Sequence, residues 1–270
     1  RGWRIALAPA VGLFDALLFR KVRAAFGGCL EFFVGGGALL DTELQRFFYA
    51  IGIPMFQGYG LSEATPVIST NSPKHHWHRF GSSGKILIPL DLKIMDEQGR
   101  ELPRGQRGEI VVRGENVMAG YYKNEKDTQK VLDADGWLHT GDMGTMDPDG
   151  TLYIRGRSKT MILSGNGQNI YPEEIEDKLN NMYMVLESLV LDAGNGRLRA
   201  LVVPDYEQAD AEGVDKSELP QIMQNNLQEL NAQLAAYERV SDITIYPTEF
   251  EKTPKRSIKR FLYSASLLDS

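Results

Sequence analysis

The sequence has a single cysteine, no excess of positive charge and no long unbroken apolar run, and each shortage removes a class of protein. With Cys29 alone there is no internal disulfide. The chain suits a reducing compartment, the cytoplasm being the expected setting, and the thiol is expected to be buried rather than nucleophilic. Lys and Arg number 30 against 36 Asp and Glu, and the net charge of -6 argues against the basic face that a nucleic-acid backbone selects. The apolar stretch over 5–18 is broken by Pro9, Gly12 and Asp15, short of the roughly 18 to 20 residues of a membrane span. Peripheral contact with a lipid surface is left open, although the acidic balance does not encourage it. The first residue is Arg1 rather than Met and no signal pattern follows it, so the start reads as processed, engineered or cropped.

What is present is a soluble globular composition, 42% hydrophobic and 24% charged over 270 residues, enough for one large or two ordinary domains. Residues 30–34 form a short apolar run ending in Gly35-Gly36-Gly37, which reads as a buried strand feeding a turn. Leu44, Phe47, Phe48 and Ile51 follow at helical spacing, with Asp41 and Thr42 as caps and an end near Gly52. A second strand over 53–56 then enters Gly58-Tyr59-Gly60. Strand, helix, strand in about 30 residues is the mark of an α/β unit with parallel strands, whose ligands gather at the strands' carboxyl ends. Residues 84–114 alternate short strands with turns and read as a small β-rich subdomain. A boundary falls near Gly156, because beyond it lies a complete α+β set: a helix over 173–181, strands over 185–191 and 198–203, a long helix over 217–236 and a strand over 243–246.

Five segments carry the chemistry. They are Gly35-Gly36-Gly37-Ala38; Gly58-Tyr59-Gly60-Leu61-Ser62-Glu63; Gly136-Trp137-Leu138-His139-Thr140-Gly141-Asp142; Gly156-Arg157-Ser158-Lys159, continuing through Gly165-Asn166-Gly167 to Tyr171-Pro172-Glu173-Glu174; and Thr253-Pro254-Lys255-Arg256-Ser257-Ile258-Lys259-Arg260. In order and spacing they resemble the adenylate-forming (AMP-binding) superfamily, and most nearly its long-chain fatty acid–CoA ligase branch. The resemblance implies α/β followed by α+β: the C-terminal portion of the large AMP-binding domain over 1–156, and the small mobile C-terminal domain over 157–270.

The resemblance also implies roles. Gly36, Gly37 and Ala38 would let the main chain lie against an adenine, with Gly58 and Gly60 flanking Tyr59 on a loop where its ring stacks on the base. Ser62 would donate to a phosphate oxygen. Glu63 would ligate Mg²⁺, a hard cation that takes carboxylate and phosphate oxygens. Asp142 would hold the ribose hydroxyls, since a carboxylate accepts two hydrogen bonds from a vicinal diol. Arg157 would bridge ribose and phosphate, Lys159 would be the hinge between two catalytic conformations, and Gly165 and Gly167 would line the passage for the arm of coenzyme A. The substrates implied are a fatty acid, ATP and CoA.

Two departures bear on activity. The family usually presents a lysine where Ser257 stands before Ile258, leaving Lys255 or Lys259 as substitutes; a serine cannot place a cation on a transferring phosphoryl group. The family's Ser/Thr/Gly-rich phosphate loop is also missing from these residues, so the chain alone is expected to be inactive or nearly so. Gly81-Ser82-Ser83-Gly84-Lys85 lacks Walker spacing and reads as structural. His75, His76 and His78 read as a solvated loop rather than a metal site. The rival readings are a ligase for another carboxylic acid and a non-catalytic nucleotide-binding module derived from the ligase.

Overall fold

The structure is a computed structural model that describes residues 12, 14–37, 40–73, 78–87, 89–194, 196–253 and 257–263. It divides into two compact units, Arg1–Ile154 and Arg155–Ser270.

In the first unit a π-turn at Asp15–Phe19 runs into α1 (Arg20–Ala25), followed by β1 (Phe33–Gly35), α2 (Thr42–Ala50) and β2 (Met55–Gly60). β1 and β2 pair in parallel, with Gly35 opposite Gln57. Of the two expected caps of α2, Asp41 is one, its carboxylate accepting from the Leu44 amide, while Thr42 is the first residue of the helix itself. The burial of α2 departs from its spacing. Leu44 and Phe47 are exposed and Gln45 is fully buried, because Gln45 faces the polar chain segments around 40 and 81. The expected buried strand over 30–34 is also shorter and more open, since β1 lies at the sheet edge with Val34 67% exposed.

Beyond β2 come β3 (Val67–Thr70), β4 (Gly84–Ile86), β5 (Asp91–Met95), β6 (Gly108–Arg113), α3 (Glu125–Val131), β7 (Leu138–Met146) and β8 (Thr151–Arg157). The α/β unit and the β-rich stretch share one eight-stranded sheet, ordered β1-β2-β3-β4-β8-β7-β6-β5. Ile68, Ile94, Ile110, Val112, Leu138, Met146 and Leu152 form its apolar core. The Gly81–Lys85 stretch is structural: Ser82 and Ser83 are buried, and a Cβ on Gly84 would sit 2.0 Å from the Thr70 carbonyl carbon.

The second unit holds the hairpin β9 (Ile162–Leu163) and β10 (Asn169–Ile170), then α4 (Pro172–Leu179), β11 (Val185–Asp192), β12 (Leu198–Pro204), α5 (Tyr206–Glu212), α6 (Leu219–Ala232) and β13 (Val240–Ile245). β12 is central, antiparallel to β11 and parallel to β13. Its residues alternate between two cores. Ala200 and Val202 pack with Ile175, Leu179 and Leu230 on the helical side, and Leu201 and Val203 pack with Leu189 and Phe250 on the other. Both faces are covered, so β12 reads as a continuous apolar run from Ala200 to Val203.

Candidate functional site

The glycines at 36 and 37 leave the end of β1, and Gly58, Tyr59 and Gly60 end its parallel neighbour β2. Tyr59 therefore stands on a strand, not on the loop that its glycine neighbours suggested. The glycines serve close strand approach: a Cβ on Gly60 would lie 1.7 Å from the Pro66 carbonyl oxygen, where the β2–β3 register shifts. Gly36 and Gly37 are exposed; Ala38 lies outside the described residues.

Asp142 sits on β7, far away in sequence and 4% exposed, and its carboxylate accepts the Tyr59 hydroxyl at 2.7 Å. Two residues from different motifs are thus joined directly. The strand carrying Asp142 is braced by Glu109 of β6, which accepts from the Gly141 amide at 3.0 Å and lies 2.9 Å from His139 Nδ1. The sequence reading missed Glu109 because its partners come through cross-strand pairing rather than local spacing.

Ser62 and Glu63 form a 3₁₀ turn directly after β2, ending in left-handed Thr65. Ser62 is exposed. Glu63 is half-buried and accepts the Tyr121 hydroxyl at 3.0 Å; burial and this carboxylate raise the Tyr121 phenol above its ordinary value. The Glu63 carbonyl accepts the Met118 amide, fixing the turn.

In the second unit Arg157 and Lys159 are exposed around the turn Ser158–Thr160. Thr160 donates its hydroxyl to Glu173 at 2.6 Å, and Glu173 lies 3.9 Å from the Arg260 guanidinium, which also pairs with buried Glu176. Gly165 lines a cavity of about 230 Å³ with Ser164, Arg197, Tyr237 and Arg239; Gly167 turns the β9–β10 hairpin at φ +79°. Ser257 bonds back to Thr253, and the Lys259 ammonium pairs with Glu251 at 3.1 Å. Lys255 lies outside the described residues.

Two other expectations are corrected. Cys29 is exposed, because it follows the left-handed Gly27-Gly28 turn that ends α1. His78 is not solvated: it packs among Tyr49, Phe56 and Phe80, and burial lowers its pKa. His75 and His76 lie outside the described residues. Among the described residues no cluster of His, Cys, Asp or Glu could hold a metal by itself, and no helix is long and apolar enough to cross a membrane.

Comparison with known proteins bears on these motifs. The AMP-binding enzyme family matches residues 6–122, and the AMP-binding enzyme C-terminal domain matches residues 159–266. A probable chloroplastic acyl-activating enzyme of Arabidopsis thaliana is 36% identical over 221 residues, which are 78% of this chain and 30% of that protein. A long-chain-fatty-acid–CoA ligase of Mycobacterium bovis is 35% identical over 195 residues, 72% of this chain and 30% of that protein. The o-succinylbenzoate–CoA synthetase of Bacillus subtilis, solved with ATP and magnesium, superimposes with a TM-score of 0.70 at 28% identity, covering 85% of this chain and 45% of that one. The chain spans about a third of the length of the curated relatives it matches.

Proposed function

The chain belongs to the AMP-binding enzyme family, and from that membership we propose that it carries the adenylate-binding face and the small mobile domain of an AMP-forming acid–CoA ligase acting on a long-chain fatty acid. The observation that carries the reading is the hydrogen bond between Tyr59 and Asp142. It sets an aromatic ring and a carboxylate side by side at the end of β2, as a base and its ribose require.

On this reading the exposed main chain at Gly36 and Gly37 meets the adenine edge. Tyr59 stacks on the base between Gly58 and Gly60, its ring held by the bond to Asp142. Asp142 accepts from the ribose diol. In the second unit, Arg157 carries a planar fork of donors suited to a phosphate. Ser62 donates to a phosphate oxygen. Glu63, a half-buried carboxylate that accepts the Tyr121 hydroxyl, would hold a Mg²⁺, and the ion would supply charge neutralisation at the phosphates.

The acid's carboxylate oxygen attacks the α-phosphorus, pyrophosphate leaves, and acyl-AMP forms. The CoA thiol then attacks the acyl carbonyl and AMP departs with the bonding pair. Lys159 marks the hinge between the two steps. Gly165 and Gly167 pass the thiol arm, and Arg197 and Arg239 beside Gly165 suit the phosphates of CoA. The Mycobacterium bovis relative supports the long-chain acid, and a single cysteine accords with a cytoplasmic setting.

A second reading, a nucleotide-binding module without catalysis, is favoured by Ser257 and by the pairing of Lys259 with Glu251, which leaves the usual cation's place to a hydroxyl. Titration calorimetry of the chain with a non-hydrolysable long-chain acyl-adenylate and Mg²⁺ tests the site common to both. Binding that Asp142→Ala abolishes is expected. Binding that survives the substitution, or none by the wild type, refutes the site.

A further inference from the structure

β7 does not run evenly along β6. Glu109 stands opposite Met143 and Val111 opposite His139, so the single residue Ile110 faces three, Thr140, Gly141 and Asp142. The surplus is a bulge, a feature that interrupts a ladder and re-aims the side chains it carries. Gly141 turns it with φ at +69°. An interrupted ladder leaves main-chain groups that need other partners. Two side chains supply them. Thr140 donates its hydroxyl to the Ile110 carbonyl at 2.7 Å, and the same oxygen accepts the Asp142 amide at 3.1 Å. Glu109 accepts the Gly141 amide on one carboxylate oxygen at 3.0 Å, and its other oxygen lies 2.9 Å from His139 Nδ1. The amides of Gly141 and Asp142 each have a side-chain acceptor.

The bulge matters because of where Asp142 has to reach. β2 and β7 are not neighbours, since β3, β4 and β8 lie between them in the sheet. The bond from Tyr59 to Asp142 therefore crosses the sheet instead of following a ladder. A side chain on a regular strand takes its direction from the pleat, and the bulge is what turns the Asp142 backbone out of it.

We propose that Glu109 and Thr140 are positioning residues that hold this bulge and thereby fix the Asp142 carboxylate for a vicinal diol, so that the site prefers a ribonucleotide to its 2′-deoxy counterpart. The proposal rests on the nucleotide reading of Tyr59 and Asp142. A carboxylate takes both hydroxyls of a diol only when its oxygens stand within hydrogen-bond reach of the two at once, whereas one that swings keeps a single bond with either sugar. The preference therefore measures how firmly Asp142 is held. Glu109 and Thr140 act through the backbone of 141 and 142.

The test is calorimetric titration of AMP and of 2′-deoxy-AMP into the wild-type chain and into Glu109→Ala, Glu109→Gln, Thr140→Val, Thr140→Ser and Ile94→Val. Glu109→Gln and Thr140→Ser keep an acceptor oxygen for the bulge amides. Ile94 belongs to the apolar core of the same sheet and controls for a general loss of stability. Thr140→Val, close to threonine in shape, guards against a Glu109→Ala variant that fails to fold. The wild type is expected to bind AMP about tenfold more tightly than 2′-deoxy-AMP, the worth of one hydrogen bond to a charged acceptor. Glu109→Ala and Thr140→Val are expected to weaken AMP about tenfold and to bring the preference toward one, while the other three variants keep it. Glu109→Ala and Thr140→Val variants that retain the full preference overturn the positioning role and leave the nucleotide site standing. A wild-type chain that binds the two nucleotides equally, or binds neither, overturns the site and the positioning role together.

Discussion

At the scale of single residues, Glu176 shows how a buried ion pair stays marginal. Its carboxylate accepts the Val190 amide at 2.6 Å and pairs with Arg260, yet burial pushes its pKa from 4.5 up to about 7, against the pull of Arg260 and with a push from neighbouring Glu173. A folded-state value above the unfolded one means that the native chain holds the proton more tightly. The group's stabilising contribution is therefore complete below pH 4.5 and is lost as the pH rises to about 7. Thermal melts across that range are expected to show this decline in the wild type and a flatter profile in Glu176→Gln; identical slopes refute it. The motif segments stood out in the sequence through their order and spacing, which a chain displays directly, and matches to the AMP-binding families cover 6–122 and 159–266. The settings of Gln45, Glu109, Cys29 and His78 did not stand out, since whether each is buried or braced depends on chain far from it in sequence.

At the scale of elements, periodicity and caps located α2, α4, β11, β12 and α6 to within a few residues, because each repeats an apolar spacing over a full face. It missed α3 and α5, which are seven residues long and carry too few turns to show a period. Their punctuation was nevertheless present: Asn124 caps α3, and α5 runs from an Asp205 cap to left-handed Gly213. Asp205 accepts the Gln208 amide at 2.9 Å, so Asp205→Ala is expected to lower the stability of the second unit by about 1 kcal/mol in denaturant titration. No change would mean that α5 is held by packing alone. The direction of a helix's apolar face was the weaker part of the reading. Leu44 and Phe47 keep helical spacing and still face solvent, so spacing gave the helix but not its covered side.

At the scale of the whole molecule, exposed large apolar side chains concentrate near one end of the sequence: Phe14, Leu17 and Leu18 before α1, Phe32 and Val34 at β1, and Leu44 and Phe47 on α2. So much apolar surface is unusual on a solitary folded chain. The chain is expected to enhance the fluorescence of the dye ANS while fully folded, and Leu44→Glu with Phe47→Glu is expected to reduce the signal without lowering the melting temperature. A dye signal that the pair leaves unchanged places the sticky surface elsewhere. The fold class was legible as a whole because each unit repeats its own alternation of strands and helices. The joining of the α/β unit to the β-rich stretch in one sheet was not, because it depends on pairings such as Gly84 with Leu152 that cross long stretches of chain.

The two glycines at 156 and 167 look alike in a sequence and differ in what they allow. Gly156 holds φ at +139°, and a methyl group there would meet Glu173 at 2.9 Å and the Tyr171 ring at 3.2 Å; Gly167 holds φ at +79° with nothing within 4 Å. In a saturation library, position 156 would return glycine alone, while position 167 would also admit asparagine, the residue that best tolerates that conformation. A hinge is commonly credited with glycine for its freedom. In this chain the glycine at the turn-side end of β8 is instead the more confined of the two, so any drift in the sequence there has to begin with a smaller partner at 171 or 173.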